Sequence, residues 1–160
     1  MDSIVSLKYS SVDEVPDGAT IAVANDESNL SVNLEDLQEL GWIKLKDIPE
    51  DSYYTLFDIE ENKKSLNFLE VDMFSRAAAL QDEADLAMIF YSNTGAAKYG
   101  YHLLKIFDEN IAYPQVVAVR DEDKDSQWVK DLMKAFTSDE QVERINEKNQ
   151  PDVCWKILFE

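Results

Sequence analysis

The first clear pattern along the chain is Thr20–Ala24, a short apolar run rich in β-branched residues that stands between the polar turn Val12–Ala19 and the pair Asn25-Asp26. A run bounded in this way predicts a buried strand. The period then lengthens. Leu30, Leu34, Leu37 and Leu40 recur at helical spacing, Ser28 or Asn29 is placed to cap the N-terminus, and Gly41 stands where a helix-ending glycine belongs. Further on, Trp42–Leu45 reads as a short extended piece, Ser65–Val71 as a second strand and Phe74–Leu80 as an Ala-rich helical stretch. Asp85–Tyr91 reads as a third strand, with a helix from Thr94 to Tyr99 after it. Strands alternating with helices predict an α/β sheet covered on both faces.

In the last third, Pro114–Arg120 carries the apolar strand pattern Val116–Val119, and the acidic linker Asp121–Asp125 precedes a helix with Val129, Leu132, Met133 and Phe136 on one face. Ser138 and Gln141 have capping-box spacing and predict a further helix to about Lys148, stopped by Asn149-Gln150-Pro151. The apolar end Val153–Phe159 is expected to pack on something rather than stand in water.

Charge then removes whole classes of function. With 33 acidic and 15 basic residues the 160-residue chain has a formal net charge of -18. Binding to nucleic acid or to anionic lipid needs basic patches that displace counterions, so neither is expected. The length and 45% hydrophobic content suit one compact domain with its own core. Cys154 is the only cysteine, which excludes an intrachain disulfide and a thiolate metal cluster. Met1–Leu7 has one short apolar stretch without a basic leader or lipobox cysteine, so no signal peptide or membrane span is read in this sequence.

Enzymatic chemistry finds little support. Asp121, Asp123 and Asp125 begin like a calcium loop, but Ser126 and Leu132 stand where its Gly and Glu belong. His102 is the only histidine and reads as an edge or core residue, and the four glycines stand apart, with no phosphate loop among them. No cofactor, metal or catalytic residue is expected.

The segments Ile4–Ala19, Thr20–Asp26, Gly41–Lys46, Phe57–Asn62, Leu66–Val71, Ala84–Ile89 and Tyr113–Arg120 follow one another across nearly the whole chain. In this order they resemble the NlpA-type lipoproteins that deliver methionine to an ABC importer. The resemblance implies a type II periplasmic-binding-protein architecture, in which two α/β lobes close over a ligand and the chain crosses between them twice. On that footing residues 1–110 are expected to form the second lobe, a mixed sheet flanked by helices. Residues 111–160 are expected to be the return strand and C-terminal helices that complete the first lobe, whose first half is missing from this sequence.

A free amino acid presents a carboxylate and an ammonium, so its site wants an Arg fork or helix N-terminus for one and oxygens for the other. The family resemblance implies an Asn-x-x-Arg motif at the helix after the first strand; Asn29 stands at its Asn and Val32 at its Arg. Two further family Asn positions fall on Phe90 and Gln115. Loss of the Arg removes a charge-assisted contact worth roughly 1.5 to 3 kcal/mol, on the order of tenfold to a hundredfold in affinity. The remaining set is Asn25, Asn29, Phe90, Tyr91, Asn93, Tyr113 and Gln115, polar and aromatic without a cation, which suits a neutral or less charged ligand. Asn25 and Asn29 equally suit turn and capping positions, and Phe90 and Tyr91 suit packing at a strand end.

The resemblance further implies an amino-acid-like ligand, an ABC permease partner and a lipid-anchored place at the cell envelope or outside the cell, with signal and anchor on a longer precursor. An unpaired strand edge at Val116–Val119, or the apolar tail, makes a homodimer an expected association. The alternative is a degenerate binding-protein lobe that serves as an oligomeric or interaction domain without a transported ligand.

Overall fold

A computed structural model describes residues 2–90, 93–107 and 116–148. The chain divides into two compact units, Met1–Asp108 and Glu109–Glu160.

The first unit is built on a five-stranded sheet. Its strands are β1 (Ser3–Ser6), β2 (Thr20–Ala24), β5 (Asn67–Val71), β6 (Leu86–Ile89) and β7 (His102–Ile106), in the order β5-β2-β6-β1-β7. β2 runs parallel to both β5 and β6, whereas β1 runs antiparallel to both β6 and β7. The sheet is therefore mixed, with a parallel trio at one side and an antiparallel strand inserted beside it. The helices are α1 (Glu27–Glu39), α2 (Arg76–Ala79) and α3 (Asn93–Lys98).

The period of two decides which residue faces which helix layer. Ile4, Ile21, Val23, Leu86 and Met88 pack with Leu30, Leu34 and Leu37 of α1, while Val5, Ala22, Ala87 and Ile89 pack with Ala79, Leu80 and Ala96 on the opposite face. Because both faces are covered, β2 and β6 read as continuous apolar runs rather than alternating ones. A two-stranded ribbon, β3 (Ile43–Leu45) against β4 (Ile59–Asn62), lies beyond α1, and Ile43 and Leu45 extend the α1-side core.

Several local expectations need correction. The N-cap of α1 is Asp26, two residues before the expected Ser28 and three before Asn29, and its side chain accepts the Asn29 N–H. Gly41 does end the helix, at φ 73, the left-handed region where a Cβ is penalised. The second strand starts at Asn67 because Ser65 turns at φ 53, and the third ends at Ile89, two residues before Tyr91. The Ala-rich helix is a single turn over Arg76–Ala79, since Asp72 accepts the N–H groups of Phe74 and Ser75 in a tight turn ahead of it.

Three strands, β1, β4 and β7, escaped the pattern reading. β1 is buried at all four residues although Ser3 and Ser6 are polar, because each serine hydroxyl donates to a carbonyl, Ser3 to Ile89 and Ser6 to Asp85 at 2.7 Å. β7 is the edge strand opposite β5, and His102 opens it, exposed.

In the second unit a short 3-10 turn over Asp121–Asp123 leads to α4 (Gln127–Phe136), where the apolar periodicity puts it, and α5 (Asp139–Lys148), where the capping-box spacing puts it. Ser126 caps α4, and the Ser138 hydroxyl accepts the Gln141 N–H at 3.3 Å, the forward half of the expected capping box. Asp121 and Asp123 are engaged by Lys124 and Arg120, each at 2.9 Å. The expected strand at Val116–Val119 is not formed: residues 116–120 have no regular structure, and Val116 is 78% exposed. A strand exists only with a hydrogen-bonded neighbour, and no described strand pairs with this segment. The stop signal at 149–151 and the apolar end 153–159 lie outside the described residues.

Candidate functional site at the carboxyl edge of the parallel strands

In an open α/β sheet the crevice beyond the carboxyl ends of the parallel strands is where side chains from several loops converge. Here that edge is formed by the ends of β2, β5 and β6 together with the start of the antiparallel β1.

Asn25 follows β2 and is exposed. Asp26 then closes the turn into α1: one carboxylate oxygen accepts the Asn29 N–H at 3.1 Å, the Asn29 side-chain amide at 2.8 Å and the Ser28 hydroxyl at 3.2 Å. Partial burial works to raise the Asp26 carboxyl, but these donors and the charge of Arg76 outweigh it and hold the carboxyl below its ordinary range. Asn29 is thus half-buried and partly committed to the cap, and Asp26 supplies the negative charge that the positive end of the helix dipole favours. Replacing Asp26 with Ala is expected to cost about 1 kcal/mol of stability and to release the Asn29 side chain. A urea-unfolding midpoint equal to that of the parent would show that the cap carries no stability.

Beneath this turn lies a buried polar cluster. Asn33, fully buried, accepts the Ala24 N–H at 3.0 Å and donates to Asp2 at 3.1 Å, so it ties the last residue of β2 to the residue that precedes β1. Arg76, also fully buried, donates from Nη1 to the Met88 carbonyl at 2.9 Å near the end of β6, while its Nε and Nη2 have no hydrogen-bond partner. Burial lowers the Arg76 guanidinium from its usual value, and the negative charges of Asp2, Asp26 and Asp72 oppose that. Asp36 completes the group. Burial, then the neighbouring Asp2 charge, push its carboxyl up to about 8. Asp2 is raised as well, chiefly by burial, with the charge of Arg76 and the hydrogen bond from Asn33 acting the other way.

Of the residues singled out from the sequence, the structure brings Asn25, Asn29 and Phe90 to this edge; Phe90 directly follows β6 and is 48% exposed. Asn93 opens α3, and its side chain lies outside the described part. Tyr91, Tyr113 and Gln115 lie outside the described residues. Val32, where the family motif has Arg, is half-buried on α1. The pattern reading missed Asp2, Asn33, Asp36 and Arg76. A signal existed for two of them: Asn33 and Asp36 sit among Leu30, Leu34 and Leu37 on the buried face of α1, where a polar residue has to find partners.

This arrangement matches a known family. Residues 3–155 fit the model of the NlpA lipoproteins, and the chain belongs to that family. It is 34% identical over 149 residues to the D-methionine-binding lipoprotein MetQ of Escherichia coli O157:H7, covering 88% of this chain and 53% of that protein. It is 37% identical over 139 residues to a probable D-methionine-binding lipoprotein MetQ of Pasteurella multocida, covering 84% of this chain and 49% of the relative. The chain thus spans about half the length of the curated relatives it matches. Among solved structures, the methionine-binding protein MetQ superposes with a TM-score of 0.77 at 33% identity, over 91% of this chain and 60% of that one. A nutrient-binding protein from Burkholderia cenocepacia bound to methionine superposes with a TM-score of 0.72, also at 33% identity, over 94% and 64%. The fold is accordingly of the periplasmic-binding-protein type, a mixed sheet flanked by helices.

Proposed function

We propose that this chain is part of the solute-binding protein of an ABC importer, with residues 1–110 as its second lobe and residues 111–160 as the segment, with its helices, that belongs to the first. In this reading the carboxyl edge of β5, β2 and β6 contributes Asn25, Asn29 and Phe90 to a cleft for an amino acid or a related small ligand. Asn93, Tyr91, Tyr113 and Gln115 are the further contacts the family order assigns. The observation that carries the reading is the family match over residues 3–155 together with a relative of the same fold that holds methionine. The partner is then a permease in the membrane, and the protein works at the cell envelope, as the lipoprotein names of its relatives suggest.

Val32 favours a second reading. An apolar residue at the family's Arg position removes the fork that would hold a ligand carboxylate, which suits either a ligand of lower charge or an interaction lobe that self-associates. A thermal-unfolding screen of this chain against amino acids and neutral metabolites, with the oligomer mass recorded, separates the two. A ligand that binds only the folded state raises the midpoint by about 2.7 kcal/mol of stabilisation at a hundredfold excess over Kd. Asn29→Ala is expected to remove that shift. A stable dimer with no shift for any compound would replace the transport reading with the interaction-domain one.

A further inference from the structure

Among the described residues, Arg76 is the fully buried side chain left with unused hydrogen-bond donors. Its Nη1 donates to the Met88 carbonyl at 2.9 Å, one residue before β6 ends. β2 and β6 run parallel with Ala22 beside Ala87, and that register continued sets Val23 beside Met88, two residues before the exposed Asn25. The guanidinium therefore lies just beneath the crevice at the ends of both strands. Its two unpartnered nitrogens are Nε and Nη2. They share one edge of the planar group, where their N–H bonds run parallel and match the two oxygens of a carboxylate. No described carboxylate forms an ion pair with Arg76. A buried cation with two adjacent empty donors is costly, and calls for a partner that the described part of the chain does not supply.

The surroundings narrow what that partner is. The loops and first helical turns that follow β2, β5 and β6, residues 25–30, 72–79 and 90–97, contain no Lys or Arg besides Arg76. They do contain carboxylates. Asp26 follows β2 and Asp72 follows β5, and because Ala24 pairs with Val71 these two positions leave the sheet side by side. Both residues are exposed, and Asp26 takes its three donors on Oδ1 alone. A simple anion entering the crevice meets their repulsion, whereas a ligand with an ammonium beside its carboxylate is attracted by both charges.

We propose that Arg76 is the residue that grips a ligand carboxylate in this crevice, through Nε and Nη2, and that Asp26 and Asp72 select a zwitterionic amino acid over a simple organic acid. The proposal rests on the solute-binding reading and names the ligand class of the same cleft. The apolar residue at Val32 is then compensated from α2, which supplies the fork that α1 lacks.

Glycine, acetate and glycinamide test the two poles separately, since they carry both charges, only the negative one and only the positive one, and none needs a side-chain pocket. Each is titrated into the whole chain at neutral pH while the nitrogen-15 resonances of the arginine Nε–H groups are followed by NMR, with the exposed Arg120 and Arg144 as internal controls. Arg76 is expected to shift saturably with glycine, to respond to acetate about tenfold more weakly or less, and to ignore glycinamide. Arg76→Lys keeps the charge without the fork and is expected to weaken glycine binding roughly tenfold to a hundredfold, read from the thermal midpoint. If the lysine variant does not fold, the three titrations of the parent decide. An Arg76 resonance that glycine leaves in place would overturn the proposal and assign the free edge to buried water. Equal responses to acetate and glycine would overturn it too. A compound that raises the midpoint in the ligand screen without moving the Arg76 resonance would sink this assignment and leave the transport reading standing. A glycine response at Arg76 with no stabilisation by any larger amino acid would do the reverse.

Discussion

Arg76→Met is expected to destabilise the protein by about 3 kcal/mol or more, read as a lower urea midpoint with the unfolding slope unchanged. Methionine retains the apolar stem, so the loss isolates the guanidinium head. Removing that head leaves the Met88 carbonyl without its 2.9 Å donor. It also strips Asp2, which is 6% exposed, of a nearby buried cation. A buried carbonyl and a buried carboxylate would then both lack compensation, and each penalty exceeds what packing a thioether returns. In a unit of this size a loss of about 3 kcal/mol corresponds to a fall of roughly 12 to 24 °C in Tm. Asp2→Asn in the Arg76→Met background should recover part of it, because the second change removes the uncompensated charge. A variant as stable as the parent would mean that the unpaired Nε and Nη2 already cancel what Nη1 contributes.

Asn33→Ala is expected to cost about 2 to 4 kcal/mol, as two buried hydrogen-bonding groups lose their partner at about 1 to 3 kcal/mol each and the better helix propensity of Ala returns about half of one. The effect should be local as well as global. The Ala24 N–H loses the Asn33 acceptor, so its hydrogen exchange should rise more than that of Ala22 in the middle of the same strand. Asn33→Asp distinguishes the two halves of the contact. It retains an acceptor for Ala24 but sets a third carboxylate beside Asp2 and Asp36, and should be worse than Ala at pH 8 and better at pH 5. If Ala24 exchange is unchanged in Asn33→Ala, the side chain does not hold the turn that carries Asn25 and Asp26.

The elements that could be read from the chain are those whose signal is local. Thr20–Ala24 and Leu86–Ile89 are apolar because both of their faces are covered, and α1 shows its leucine stripe because only one of its faces is. Caps and stops are local too, and Gly41 and Ser138 stand where they were expected. The error at the start of α1 came from equivalent chemistry: Asp26, Ser28 and Asn29 all suit an N-cap, and only the backbone shows which of them comes before the first helical turn.

Partnership across the sheet decided the rest. Ser3–Ser6 is half polar in sequence and becomes a fully buried central strand because carbonyls of the β6 region receive its hydroxyls. Val116–Val119 is the opposite case, a good strand sequence that stays irregular where no described strand pairs with it. The placement of Asn25, Asn29 and Phe90 on one edge was legible because turn and strand-end positions of an α/β unit lie there. The cluster of Asp2, Asn33, Asp36 and Arg76 was not, because it joins the start of the chain, the middle of one helix and the first residue of another. By itself the sequence determined the strands β2, β5 and β6, the helices α1, α4 and α5, the net negative charge and the family. The antiparallel placement of β1, the hydrogen bond from Asn33 to Asp2 and the burial of Arg76 were decided only by tertiary structure, since each depends on groups far apart in the chain being withdrawn together from water.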